Sequence, residues 1–323
     1  MFEMPIGIVA KEFPKLGVDI TWPVHLDPKI PTMDKKLIIS VAPTGAFISK
    51  KQNPSQPYNA QEIAKEVIEA SKEGAAMFHV HCRVDGQMSI MPEEYKKTMD
   101  LVFKEAPDII TNLCAVFSST HEGAEKRTKP MVDPLLAFGR KYAEIAVINT
   151  ISMAIGPGIF VSTPEGIKEE TKYLEDVGVK PHLVGYNLPA LEVIKEHLVE
   201  TGIAKKPYFI AVASGVHNAT PATPNPEGFV NLIQMVRNLP SDTVWEAGVG
   251  GRNWLPVMVL AIMLGADVVR VGKEDTVHIY PHRDDIITSC ADVVKKIATI
   301  AKELGREIAT PDEARKILGV KRR

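Results

Sequence analysis

Lys72-Glu73-Gly74-Ala75-Ala76-Met77-Phe78-His79-Val80-His81-Cys82-Arg83 is the stretch from which the fold can be read. A helix closing on a glycine, followed by a short apolar run, describes helix, turn and buried strand. Alternate strand residues share a face. His79, His81 and Arg83 are therefore expected to point one way, and Phe78, Val80 and Cys82 the other. Two imidazoles so spaced can hold one divalent metal, usually zinc. They supply two ligands, and a catalytic site needs a third plus an open position. The competing reading makes one histidine a core residue and the other chance. The clean split of polar from apolar groups favours the metal.

Working outward, the same unit recurs. Strand-like segments fall at 37–42, 75–83, 109–113, 145–148, 182–186, 208–213, 243–247 and 266–271. Helix-like segments fall between and after them, at 60–72, 92–104, 134–141, 164–177, 190–200, 226–239, 255–264 and 284–304. Asn59 and Glu62 have capping-box spacing. Pro92 with Glu93 and Glu94 marks a helix start. Strands alternating with helices imply parallel βαβ units, and eight of them close into a (β/α)8 TIM barrel. A doubly wound open sheet is the runner-up. The helix opening at Thr310-Pro311-Asp312-Glu313 lies beyond the eighth unit, so it is expected to cap the barrel or a partner. Residues 1–36 read as an extended arm, rich in proline (Pro5, Pro14, Pro23, Pro28, Pro31). Val18 to Trp22 alternates, which suits an edge strand, a cover over the barrel end, or contact with a neighbouring subunit. Residues 37–323 are then the barrel domain with its extra C-terminal helix.

The 323 residues are 45% hydrophobic and 24% charged with net charge -2, an ordinary globular composition. That balance gives no reason to expect nucleic acid or an anionic membrane surface as partner. The chain has no apolar stretch of membrane-spanning length and no signal pattern. Cys82, Cys114 and Cys290 form no CxxC and cannot all pair, so a reducing cytoplasm is expected. Cys82 faces away from the histidines and reads as core.

In such a barrel the chemistry sits at the C-terminal ends of the strands. That rule selects Thr44 and Gly45 on strand one, the histidines and Arg83 on two, and Asn112 on three. It adds Asn149 and Thr150, Tyr186 and Asn187, then Ser214 and His217. Strand seven offers Glu246, Gly248, Gly250 and Arg252, and strand eight Arg270, Glu274 and Asp275. Strand eight neighbours strand one, which neighbours two, so Glu274 or Asp275 is the natural third ligand. Gly248-Val249-Gly250-Gly251-Arg252 suits a carboxylate or a phosphate-bearing carrier such as coenzyme A, or is simply a tight turn.

Several motifs occur together in order. They are Ala42-Pro43-Thr44-Gly45-Ala46, Asn53-Pro54, Glu62-Ile63-Ala64, and His79-Val80-His81-Cys82-Arg83. Gly248-Val249-Gly250, Arg270-Val271-Gly272-Lys273-Glu274-Asp275 and Glu303 to Pro311 follow. The set resembles the β-keto acid cleavage enzyme family from about residue 37 to the C-terminus. The resemblance implies a zinc-bearing (β/α)8 barrel that moves an acyl group from a β-keto acid to coenzyme A, consuming acetyl-CoA and releasing acetoacetate. It implies one zinc per chain on His79, His81 and Glu274, with Arg270 and Asp275 as the catalytic pair. Asp275 is the expected base, with Glu246 and His217 next. Thr44, Phe47, Arg83, Asn112, Asn149, Gly250 and Arg252 are expected to hold substrate or coenzyme A. A homo-oligomer, dimer or tetramer, is expected because the arm and the extra helix need somewhere to pack.

The chain departs from the family in places. Phe47 stands where a Glu is common. Asn112-Leu113-Cys114-Ala115, with Ser118 and Ser119 further on, replaces a Ser-Thr-Gly-Gly-like loop, and Gly251 is extra. Two other classes fit the residues less well. A metallohydrolase would use zinc to activate water, but amidohydrolase-type sites carry His-x-His on the first strand, not the second. The other is a non-catalytic barrel.

Overall fold

Eight short parallel strands close on themselves. The computed structural model describes residues 29–114, 123–155, 158–215 and 226–321. Its barrel strands are β1 (Ile38–Val41), β2 (Ala75–Val80), β3 (Ile110–Leu113), β4 (Ile145–Asn149), β5 (Lys180–Gly185), β6 (Tyr208–Ser214), β7 (Thr243–Val249) and β8 (Val268–Val271). Each pairs with its sequence neighbours, and β8 pairs with β1, so the sheet is a TIM barrel and not an open doubly wound sheet. The longer helices are α1 (Ala60–Lys72), α2 (Pro92–Glu105), α3 (Lys129–Phe138), α4 (Pro164–Val177), α5 (Leu188–Ile194), α6 (Pro226–Arg237), α7 (Trp254–Met263), α8 (Cys290–Glu303) and α9 (Pro311–Leu318). Residues from Thr32 on form one compact unit. The arm's alternating stretch at 18–22 lies outside the described residues.

Local chemistry sets the element ends. Asn59 accepts a hydrogen bond from the Glu62 amide and starts α1, while the Glu62 carboxylate reaches back to the Tyr58 amide. Thr310 and Glu313 form a reciprocal capping box on α9. Several boundaries differ from the sequence reading, the helix expected at 190–200 among them, whose α-helical part ends at Ile194. α3 begins at Lys129 and carries Pro134 inside it, because Pro130 already occupies the first turn, where a missing N–H is harmless. α8 begins at Cys290, capped by Ser289, and not near residue 284. The strand of histidines ends at Val80, and Cys82–Val84 turns back on Gln87–Ser89 as an antiparallel hairpin. Its two-residue turn is Asp85-Gly86, both at positive φ, which is the geometry a hairpin favours.

The main core lies between strands and helices, where Val41, Phe78, Val80 and Ile148 meet Val67, Met99 and Val102. Inside the barrel's N-terminal end, Ile38, Met77, Ile110, Ile145, Phe209, Val244 and Val268 cluster with Ala314 and Leu318 of α9. The extra helix thus plugs that end. Burying Leu318 alone is worth about 1.5–3 kcal/mol.

Candidate metal centre and pocket

The site is built by laying the β8 loop across the end of β1 toward β2. Gly272 sits at φ +144°, and a Cβ there would fall 2.1 Å from the Ala42 carbonyl oxygen. The Glu274 amide donates to that same carbonyl at 3.1 Å. Gly45 must also lack a side chain, since its Cβ would lie 2.3 Å from Glu274 Cγ. Between them Lys273 points outward, fully buried, bonding Glu66 of α1 at 2.7 Å and the Ser55 carbonyl at 2.8 Å. The loop is therefore anchored on one side while Glu274 is presented on the other.

Glu274 Oε1 stands 3.3 Å from His81 Nε2 and 3.5 Å from His79 Nε2. Tetrahedral zinc with bonds of about 2.0–2.1 Å holds its N and O ligand atoms about 3.4 Å apart. The donor set and its spacing therefore fit a divalent metal, and Glu274 Oε2 is buried without a hydrogen-bond partner. Cys114, one residue past β3, joins the histidines: its sulfur and one ring nitrogen of each lie within 4.8 Å of one another. Burial alone would raise the Cys114 thiol, but the charge on His81 and hydrogen bonds with both histidines bring it down to about 5. Burial would likewise raise Glu274; His79, His81 and Arg270 hold it well below the usual carboxylate range.

Beside the cluster, Arg270 at the end of β8 meets Asp275 at 2.8–2.9 Å. Burial pushes Asp275 up, Arg270 pulls it down and Glu274 pushes it up again, to about 6. Arg270 lines the pocket; Asp275 stands behind it and does not. Deeper in the barrel, Asn112 Nδ2 donates to His182 Nδ1 at 2.9 Å, and the His182 ring stacks on Phe209 at 3.8 Å. His182 Nε2 is 3.6 Å from Glu246 Oε1, too far for a hydrogen bond. Burial drives Glu246 up to about 8 against the opposing pull of Arg270.

A cavity of about 250 Å³ opens over these groups. His79, His81, Cys114, Glu274 and Arg270 form one side. Val147, Phe160, Val184, Ala211 and Ala213 form an apolar opposite side, with Phe47, Asn149 and Tyr186 completing it. Of the residues expected to hold substrate or coenzyme A, Phe47 and Asn149 are on the wall. Asn149 accepts from the Tyr186 hydroxyl at 2.7 Å. The others are engaged elsewhere. Thr44 accepts from Gln56, and Asn112 bonds His182 as described. Arg83 donates to the carbonyls of Gly45, Ile48 and Gly86, because the hairpin turns it away from the histidines, and so braces the β1 loop. The Gly250 amide donates to Ser214, and Arg252 binds the Arg283 carbonyl, His278 and Asp284. His217 lies outside the described residues, as do Ser118 and Ser119. Cys82 is core, its thiol donating to the Glu94 carbonyl. Sequence reasoning missed Cys114 and His182. The strand-end rule could have found Cys114, since β3 lies beside β2; nothing in the sequence marks His182.

A parallel (β/α)8 barrel with ionisable groups gathered at the C-terminal ends of its strands is the architecture of a TIM-barrel enzyme. The model of the beta-keto acid cleavage enzyme family matches residues 36–320, and the chain belongs to that family. It is 32% identical over 292 residues to the 3-keto-5-aminohexanoate cleavage enzyme of Fusobacterium nucleatum, covering 90% of this chain and 100% of that one. It is 26% identical over 314 residues to the 3-dehydrocarnitine:acetyl-CoA trimethylamine transferase of Rhizobium meliloti, covering 90% and 99%. The solved ternary complex of ObcA with a C4-CoA adduct and oxalate shares the fold, with a TM-score of 0.69 at 17% identity over 83% of this chain and 68% of that one. Among the described residues no helix is long and apolar enough to cross a membrane.

Proposed function

We propose that the protein condenses a β-keto acid with acetyl-CoA, releasing acetoacetate and a new acyl-CoA, at a zinc site formed by His79, His81 and Glu274. The observation that carries this is the 3.3 and 3.5 Å spacing of Glu274 Oε1 from the two histidines, in a chain of this family. A relative's name includes acetyl-CoA, which supports the co-substrate.

Bound zinc supplies a Lewis acid for the ketone oxygen and so acidifies the adjacent carbon. Arg270 is the one guanidinium or ammonium on the pocket wall among the described residues and takes the substrate carboxylate. Doing so draws it from Asp275, whose carboxylate loses the partner that had weakened it as a base. Asp275 then accepts the α-proton, near a pKa suited to neutral pH. The resulting carbanion equivalent attacks the acetyl-CoA carbonyl, the coenzyme A thiolate leaves that carbon and adds to the substrate's β-carbonyl, and cleavage of the bond between the α- and β-carbons gives the new acyl-CoA and acetoacetate, which takes back the proton held by Asp275. The apolar wall of Val147, Val184, Ala211 and Ala213 holds the keto acid's tail away from water.

The proposal extends to assembly: the catalytic domain, residues 37–323, works in a cytoplasmic homo-oligomer, dimer or tetramer. A monomer by light scattering at micromolar concentration refutes that part. The chemistry is tested by incubating a panel of β-keto acids with acetyl-CoA and reading new acyl-CoA species by mass, alongside elemental analysis. About one zinc per chain is expected, lost in a His79→Ala, His81→Ala double variant. Unchanged metal in that variant removes the site; absence of any new acyl-CoA removes the reaction.

A further inference from the structure

We propose that Cys114 is a fourth, displaceable ligand of this metal centre: its sulfur closes the coordination set in the resting protein, and substrate enters by displacing it. This rests on the reading that His79, His81 and Glu274 hold a divalent metal. Two three-membered sets share the same pair of histidines. One is completed by Glu274, at 3.3 and 3.5 Å from their Nε2 atoms. The other is completed by Cys114, whose sulfur and one ring nitrogen of each histidine all lie within 4.8 Å of one another.

The backbone puts Cys114 there. Its amide donates to the Val80 carbonyl at 3.3 Å, which pins the end of β3 against the strand carrying the histidines. The other two cysteines are core residues, Cys82 at 1% and Cys290 at 0% exposure, whereas Cys114 is half-buried and lines the cavity. Zinc takes thiolate readily, and four protein ligands make a closed site, while a catalytic site keeps one position open. All four ligands together would leave no position for substrate, so one must yield. Glu274 is held by the Gly45 and Gly272 contacts and by its anchored neighbour Lys273. Among the described residues Cys114 is held by the bond of its amide to the Val80 carbonyl at the end of its strand, and it is the freer of the two. Charge points the same way. A divalent cation with one carboxylate and one thiolate is neutral, and loss of the thiolate restores one positive charge as an anionic keto acid arrives.

The test replaces zinc with cobalt(II) in the full-length protein and in Cys114→Ser. The expected result is thiolate-to-cobalt charge-transfer absorption in the wild type, lost in Cys114→Ser, and weakened when acetoacetate is added to the wild type. Visible cobalt bands without the charge-transfer band overturn this proposal and leave the histidine–carboxylate site standing; no cobalt bands at all overturn both. Should Cys114→Ser fail to fold, X-ray absorption of the zinc-loaded wild type decides. One sulfur neighbour at about 2.3 Å supports the proposal, and a shell of nitrogen and oxygen alone overturns it.

Discussion

The two ends of the barrel treat their buried polar groups in opposite ways. At the N-terminal end the charges are answered. Arg306 donates to the carbonyls of Lys35, Lys36, Ile262 and Ala266. Asp267 accepts from the Trp245 amide and the Lys35 ammonium. Arg315 of α9 and Glu144 meet in two hydrogen bonds at 2.7 and 3.0 Å. At the C-terminal end, both oxygens of Glu246, Asn112 Oδ1 and Glu274 Oε2 are buried with no hydrogen-bond partner. Each such group costs about 1–3 kcal/mol. A chain that pairs the buried charges of one end, down to Arg315 Nη1 and Asp312 Oδ1 at 3.5 Å, and leaves carboxylate oxygens open at the other has placed its stability and its chemistry at opposite ends of the same strands.

The largest expected effect falls at the satisfied end. Arg315→Met leaves Glu144 buried without its cation, and breaking such a pair costs about 3–5 kcal/mol. The denaturant midpoint should drop accordingly while kcat, measured where the variant is folded, stays unchanged. A second change, Glu144→Gln on top of it, should recover part of the loss. A fall in kcat without unfolding would show that the ends are coupled and break the comparison.

At the open end the signs should reverse. Asp275→Asn keeps the shape and cannot accept a proton, so kcat should fall roughly a hundredfold or more, about 2.7 kcal/mol of transition-state stabilisation. Metal content and melting temperature should not fall. A near-normal rate moves the base to Glu246, which lines the pocket with Asp275 behind it.

How far the sequence could be read follows the same divide. Strand alternation, glycine stops and helix caps carried the barrel, because these are local signals. That a carboxylate of the eighth loop would meet His79 and His81 was legible because parallel strand order makes the ends of strands eight, one and two neighbours, while the choice of Glu274 over Asp275 came from the family resemblance. Arg83 was not, because period-two alternation stops at Val80 and a hairpin turning at Asp85-Gly86 sets the direction of Arg83 instead. Cys114 lay within reach of the strand-end rule, since β3 neighbours β2; His182 lies inside its strand, and its partner Asn112 comes from a strand far away in sequence, which no spacing rule reports. Pro134 misled as a helix start because Pro130 had already taken that role.

Glu246 sharpens the contrast through pH. Its folded-state pKa is raised from 4.5 to about 8, mainly by burial. The folded protein keeps a proton that the unfolded chain gives up, so this group's stabilisation is present below about pH 4.5 and is lost as pH rises to about 8. The slope it adds is at most about 1.4 kcal/mol per pH unit. Glu246→Gln should melt with a visibly flatter dependence on pH across that window. An unchanged slope would mean that the open end does not store this cost.

The smallest effect concerns which keto acid the open end accepts. Phe47 lines the cavity together with Val147, Phe160, Val184, Ala211 and Ala213. An ammonium buried against such a wall costs several kcal/mol unless a carboxylate meets it. Two carboxylates line the cavity among the described residues. Glu274 is committed to the histidines, and Glu246 favours its neutral form at pH 7. An uncharged tail should therefore be preferred over 3-keto-5-aminohexanoate by severalfold in kcat/KM, about 1 kcal/mol. The measurement compares the amino compound with an uncharged analogue of equal length. If the amino compound is preferred roughly tenfold, about 1.4 kcal/mol, Glu246 must ionise to meet it, and Glu246→Gln should then abolish that preference. Should the preference survive in Glu246→Gln, neither the Phe47 wall nor the Glu246 carboxyl selects the substrate, and the selecting group lies on another loop.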